Sequence, residues 1–210
     1  MATEEYRRKL KASMPITQLE IEHTEHCRLL PNRRELLRVL PKNGLVAEVG
    51  VAFGQFSRAI LDLAQPRELH LIDAWIGERY GGGYDHVTTE FADEIAEGRV
   101  IINRGQSTAV LPTYSSDTFD WVYLDTNHSF PTTLSELEQS SGVVRADGRI
   151  TGHDFCTGNP VAGKPYGVVE AVTAFCKEKG WGFEYLTVES SGHFSFSIRR
   201  LSSLNPNHPV

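Results

Sequence analysis

Leu45-Val-Ala-Glu-Val-Gly-Val-Ala-Phe-Gly-Gln-Phe56 joins an apolar run to an amphipathic pattern through a glycine-containing turn. The run Leu45 to Val49 reads as a buried strand, and Phe56, Ala59, Ile60 and Leu63 recur at i, i+3, i+4 and i+7, the spacing of one helix face. Gly50 and Gly54 let the backbone approach a ligand closely, and the helix offers the unpaired amides of its first turn. Strand, turn and helix in this order suit a nucleotide-like ligand. A dinucleotide fingerprint starting at Gly50 requires glycine at 52 and 55, where the chain carries Ala52 and Gln55. An acid, Glu48, stands two residues before the first glycine instead.

Outward from this turn, apolar runs alternate with helical patterns. Further strands are predicted over Leu69 to Asp73, Arg99 to Asn103, Phe119 to Leu124 and Arg149 to Gly152, with helical material between Val87 and Glu97. A helix is expected over Ser129 to Ser141, with Ser129 as N-cap, Pro131 in the first turn and Gly142 past the end. Gly167 to Lys179 predicts another helix, closed by Gly180. Gly182 to Val188 and His193 to Ile198 alternate around a Ser-Ser-Gly turn, the pattern of an antiparallel hairpin. Together these predict a doubly wound, Rossmann-like α/β sheet, mostly parallel, with an antiparallel C-terminal hairpin. Residues 1–43, punctuated by Pro15, Pro31 and Pro41, read as a helical cap ahead of a main domain over 44–200. The last ten residues, with Pro206 and Pro209, read as a loose tail.

The bulk properties narrow the function classes. A formal net charge of -6 with 40% hydrophobic residues describes a globular protein and argues against a general nucleic-acid binder. No apolar run reaches the roughly 18 residues of a membrane span, and the first residues lack the apolar core of a signal peptide, so the expected location is the cytoplasm. Cys27, Cys156 and Cys176 show neither a disulfide framework nor zinc-ligand spacing. Exposed sheet edges and the N-terminal segment leave room for a homodimer.

The arrangement Glu48-x-Gly50-x-x-x-Gly54 resembles the first motif of the class I S-adenosylmethionine-dependent methyltransferases. The resemblance spans roughly residues 44 to 200 and implies a seven-stranded sheet. It also implies that Glu48, Gly50, Ala52 and Gly54 contact the cofactor, with the acid near its methionine end. Asp73, closing the second predicted strand, is placed to accept hydrogen bonds from both ribose hydroxyls. Gly105, Gln106 and Ser107 fall where related enzymes contact the adenine.

Two further strand ends carry Asp125-Thr-Asn-His128 and Gly152-His153-Asp154. Parallel neighbours would bring these residues together, and the set resembles the metal-dependent O-methyltransferases of the catechol, caffeoyl and macrocin types. In those an acid ends one strand and an Asp-Asn or Asp-Asp pair ends the next. The resemblance implies a cation held by Asp125, His153 and Asp154, with Asp125 also beside the cofactor. His153 stands where the relatives have an oxygen ligand, and imidazole suits manganese, iron or zinc better than magnesium. His128 stands at the offset where catechol-type enzymes place the base that deprotonates the acceptor hydroxyl, and an ordinary imidazole pKa near 6.5 matches that step. Trp75 to Asp85, with Gly81-Gly-Gly83, is a candidate lid, and Thr157 to Lys164 with Tyr166 is placed to shape acceptor specificity.

The expected activity is methyl transfer from S-adenosylmethionine to a hydroxyl of a small molecule, a sugar or natural-product intermediate, with or without magnesium or manganese. Two alternatives stand beside it: a cofactor-binding module with a dead acceptor site, and a nucleotide-dependent oxidoreductase, which Ala52 and Gln55 disfavour.

Overall fold

The computed structural model describes residues 3–204. Among the described residues there are ten strands: β1 (Arg28–Leu30), β2 (Leu45–Val49), β3 (Glu68–Asp73), β4 (Val100–Arg104), β5 (Phe119–Leu124), β6 (Val144–Gly152), β7 (Gly158–Asn159), β8 (Lys164–Pro165), β9 (Trp181–Thr187) and β10 (Phe196–Arg200). Eight of them form one sheet in the order β1-β9-β10-β6-β5-β2-β3-β4, and β7 and β8 form a separate two-stranded ribbon. Only β10 runs antiparallel within the large sheet, against β6 on one side and β9 on the other.

Side chains alternate across the central strands, and both faces are covered. On β2 and β5, Val46, Trp121 and Tyr123 enter one core, while Ala47, Val49, Val122 and Leu124 enter the other. Leu36 and Leu37 of α2 (Arg33–Val39) and Ile60 of α3 (Gln55–Leu63) close the first face. The opposite face is closed by Leu137 of α8 (Phe130–Val143) and Ala171, Val172 and Phe175 of α9 (Val168–Lys179). Between them lie α4 (Gly77–Tyr80), α5 (Gly83–Glu90), α6 (Ala92–Ala96) and α7 (Ser107–Val110), with α1 (Glu4–Ala12) ahead of the sheet and α10 (Leu201–Leu204) behind it. Among the described residues no helix is long and apolar enough to cross a membrane.

From β2 the chain winds outward through β3 to β4, then returns to place β5 on the other side of β2. The strand order therefore reverses between β2 and β5, and ligands bind outside the carboxyl ends of strands at such a point.

Several expectations are corrected. The sheet has eight strands rather than seven, because the N-terminal segment is not all helical: Arg28 to Leu30 pairs in parallel with Tyr185 to Thr187 and covers what would be an open edge at β9. Gly142 lies inside α8 rather than beyond it, since a side chain there would meet only open space and the helix must reach the buried Val143. His193 precedes the last strand instead of opening it. The carbonyl of Phe194 accepts from Phe155 N at 2.9 Å, which ties this stretch to the loop after β6. The tail holds a helical turn over Leu201–Leu204, and Pro206 and Pro209 lie outside the described residues.

Candidate active site

The glycine turn is folded around a single carboxylate. Asp73 Oδ2 accepts from Val51 N at 2.8 Å and Ala52 N at 3.0 Å, and Oδ1 accepts from Trp75 N at 2.8 Å. Three backbone amides thus converge on the acid expected to hold ribose. Its first task is to fix the turn, and the lone pairs left over on Oδ1 are what it can offer a diol. Gly50 has φ 92°, and a Cβ there would lie 1.9 Å from the carbonyl oxygen of Asp125. No side chain fits where β2 and β5 come this close. Gly54, at φ 80°, lies against Phe91, where a Cβ would be 2.7 Å from Cε2.

Glu48 points from β2 toward α3, is 1% exposed and accepts from Ser57 Oγ at 2.5 Å. Burial pushes its carboxyl up to about 8; the Ser57 hydrogen bond opposes this, and the charges of Asp125 and Asp73 reinforce it. At neutral pH Glu48 is therefore held mostly in its protonated form. On the next strands, Gly105 N donates to the carbonyl of Asp73 at 2.9 Å, Gln106 is exposed, and Ser107 Oγ donates to Glu136 Oε1 at 2.5 Å. Glu136 also accepts from Thr126 Oγ1 at 2.8 Å, so one buried acid on α8 ties the loop after β4 to the loop after β5. Sequence reasoning missed Glu136. Its signal is an acid on the inward face of a helix, three residues after Thr133 and four before Ser140, both buried.

The second cluster forms as the parallel strands require. His128 Nε2 lies 3.1 Å from Asp125 Oδ1 and 3.0 Å from Asp154 Oδ2. His153 Nδ1 is 3.3 Å from Asp154 Oδ1 and 3.8 Å from Asp125 Oδ2. The ligand atoms of Asp125, His128 and Asp154 all lie within 4.8 Å of one another. The expected cation set of Asp125, His153 and Asp154 is thus brought together, yet the tightest grouping contains His128 in place of His153. Burial pulls the His128 pKa down, but hydrogen bonds to Asp125 and Asp154, with their charges, outweigh it and raise the imidazole to about 9. An ordinary imidazole near 6.5 was the expectation. Two carboxylates on one ring nitrogen raise it above that.

Tyr166 packs on His128, with ring centroids 4.5 Å apart. His193 also joins the cluster, its Nδ1 2.5 Å from Asp154 Oδ1, and the sequence gives no local sign of this because the two residues are 39 positions apart. Four of the seven non-glycine residues at positive φ among those described, Ala52, Trp75, His128 and Asp154, sit at these strand ends. Such conformations collect at functional sites. The candidate lid is pinned at its base: Trp75 is buried, its Nε1 donates to the carbonyl of Ala52 at 2.8 Å, and residues 77–90 are largely helical rather than a free loop.

The match to known proteins follows the same landmarks. The chain matches the model of a methyltransferase domain family over residues 47–155, a span that includes both strand-end clusters. The chain belongs to that methyltransferase domain family. No curated protein sequence matches it. Solved structures that share its fold include the pyocyanin biosynthetic protein PhzM, at 17% identity and TM-score 0.62 over 80% of this chain and 53% of that one. The O-methyltransferase TomG of Streptomyces achromogenes, involved in tomaymycin synthesis, aligns at 18% identity and TM-score 0.59 over 80% of this chain and 77% of its own. A putative rRNA methylase from Clostridium thermocellum aligns at 14% and TM-score 0.60, over 81% and 96%. The chain spans about half the length of PhzM.

Proposed function

We propose that the protein transfers the methyl group of S-adenosylmethionine to a hydroxyl of a small-molecule acceptor, with Gly50, Ala52, Gly54, Asp73 and Gly105 to Ser107 forming the cofactor cradle. The observation that carries this reading is His128, wedged between Asp125 and Asp154 beside the point where the strand order reverses. Acceptors of tomaymycin or pyocyanin type are small molecules, and the net charge of -6 favours such a substrate over a polyanionic RNA.

The cofactor supplies a sulfonium-bound methyl group. The acceptor oxygen forms the new bond to carbon in line with the breaking sulfur–carbon bond, sulfur keeps the electron pair as a neutral thioether, and the hydroxyl proton must leave. Asp125 and Asp154 position His128, and near neutrality they hold a proton on it. In its neutral form the imidazole accepts the hydroxyl proton at Nε2, and the flanking carboxylates stabilise the imidazolium that results. Asp125, Asp154 and His153 would hold a divalent ion of the manganese, iron or zinc kind. Bound there, such an ion would acidify the acceptor hydroxyl. Tyr166 covers the imidazole and keeps water from its face.

The test is release of demethylated cofactor with a panel of phenolic and sugar hydroxyls, for wild type and His128→Ala. The variant is expected to keep its cofactor affinity and to lose roughly 10²-fold in turnover. Undiminished turnover would return His128 to a structural role.

A further inference from the structure

Beside the His128 cluster, on the far side of Asp154, lies a second convergence of metal-ligating side chains that the proposed chemistry does not use. Asp154, Cys156 and His193 bring a carboxylate oxygen, a thiol sulfur and an imidazole nitrogen within 4.8 Å of one another. His193 Nδ1 stands between the other two donors, 2.5 Å from Asp154 Oδ1 and 3.7 Å from Cys156 Sγ. The thiol also donates to the carbonyl of Gly158, at 3.6 Å.

These separations can be set against those of a tetrahedral centre. With zinc–sulfur bonds near 2.3 Å and zinc–nitrogen or zinc–oxygen bonds near 2.0 Å, ligand atoms stand about 3.5 Å apart for sulfur and nitrogen and about 3.3 Å apart for nitrogen and oxygen. The sulfur–nitrogen pair is already near its value, and the nitrogen–oxygen pair needs to open by less than about 1 Å, a small side-chain rotation. Asp154 is set in place by its own backbone, held at φ 56° between Gly152 at the end of β6 and the Cys156 turn. None of the three is sealed in the core: the His193 side chain keeps 24% of its exposure, and Cys156 is half-buried. An ion can therefore reach the donors from solvent.

We propose that Asp154, Cys156 and His193 form a thiolate-containing site for a borderline-soft divalent ion of the zinc class, adjoining the His128 cluster through Asp154. The donor set argues for this choice. Magnesium and calcium select oxygen ligands, whereas sulfur with imidazole selects zinc and its neighbours. Binding would displace the thiol proton and any proton on Nδ1, so it is proton-coupled. The ion would also fasten two loops to each other: the segment after β6 that leads to the β7–β8 ribbon, and the turn between β9 and β10. The inference shares Asp154 with the proposed acceptor site but does not need that site to be catalytic.

Cobalt(II) titration of the purified protein tests it, because a cobalt–thiolate bond adds a charge-transfer absorption that oxygen and nitrogen ligands lack. Wild type is expected to develop that band at one equivalent, and zinc is expected to abolish it by displacement. Cys156→Ser should lose the band, His193→Ala should weaken cobalt affinity at least about 10-fold, and Asp125→Asn, outside this triad, should keep both. Circular dichroism and the thermal midpoint establish that each variant is folded, and Cys27→Ser serves as the control thiol. Absence of the band in folded wild type, or its persistence in Cys156→Ser, overturns the site. Either result leaves the turnover test of His128 untouched, and failure of that test leaves the band untouched.

Discussion

Glu48→Gln isolates the energetics of the buried acid beneath the glycine turn. The carboxyl is 1% exposed, and its pKa rises from an ordinary 4.5 to about 8, with burial the main cause. A group whose folded pKa is raised contributes stability that is complete below its unfolded value and is lost as pH climbs through the folded one. The window is therefore about pH 4.5 to 8. A shift of 3.5 units at about 1.4 kcal/mol each corresponds to a loss on the order of 5 kcal/mol across it. Glutamine keeps the shape of the protonated acid and an oxygen for the Ser57 hydroxyl, but it cannot ionise. Urea unfolding of both proteins in ligand-free buffer at pH 4.5, 6, 7 and 8.5 reads the difference directly. The expected result is near-equal stability at pH 4.5 and a growing advantage for the glutamine variant, reaching several kcal/mol at pH 8.5. A difference that stays flat within about 1 kcal/mol would refute a protonated Glu48 in the native state.

Other outcomes follow from the same geometry. Gly50→Val should abolish cofactor binding, because its φ of 92° disfavours any side chain by about 1–2 kcal/mol and a Cβ would lie 1.9 Å from the Asp125 carbonyl. Tight binding by a folded variant, measured calorimetrically, contradicts the turn's assignment. Asp73→Ala releases the amides of Val51, Ala52 and Trp75 at once. It should cost about 3 kcal/mol in unfolding free energy and weaken cofactor binding at least 10-fold; unchanged affinity would mean that the turn holds its shape without the acid.

Much of this architecture was legible because its determinants are local. Leu45 to Val49 and Phe119 to Leu124 are apolar runs buried on both faces, and the observed β2 and β5 have those same limits. Ser129 announced its helix as an N-cap, and its Oγ accepts from Thr132 N at 3.4 Å. Features set by distant partners were not legible. Arg28 to Leu30 is a strand only because β9 presents an edge to it. His193 reaches Asp154 across 39 residues of chain, and no spacing rule covers that separation. The order of the strand-end motifs was enough to bring Asp125, His128, His153 and Asp154 together on paper. It could not say that His128 takes the central position, since that depends on its left-handed backbone at φ 62° turning the ring back between two carboxylates.

The central claim is that the turn from Glu48 to Gly54 is the cofactor cradle and that it opens onto the Asp125, His128 and Asp154 cluster. Calorimetric titration of the folded protein with S-adenosylmethionine and its demethylated product, with and without manganese, tests it most directly. Saturable one-to-one binding of both, with manganese altering the affinity or heat through Asp125, is the predicted result. A folded protein that binds neither ligand under any of these conditions would contradict the account.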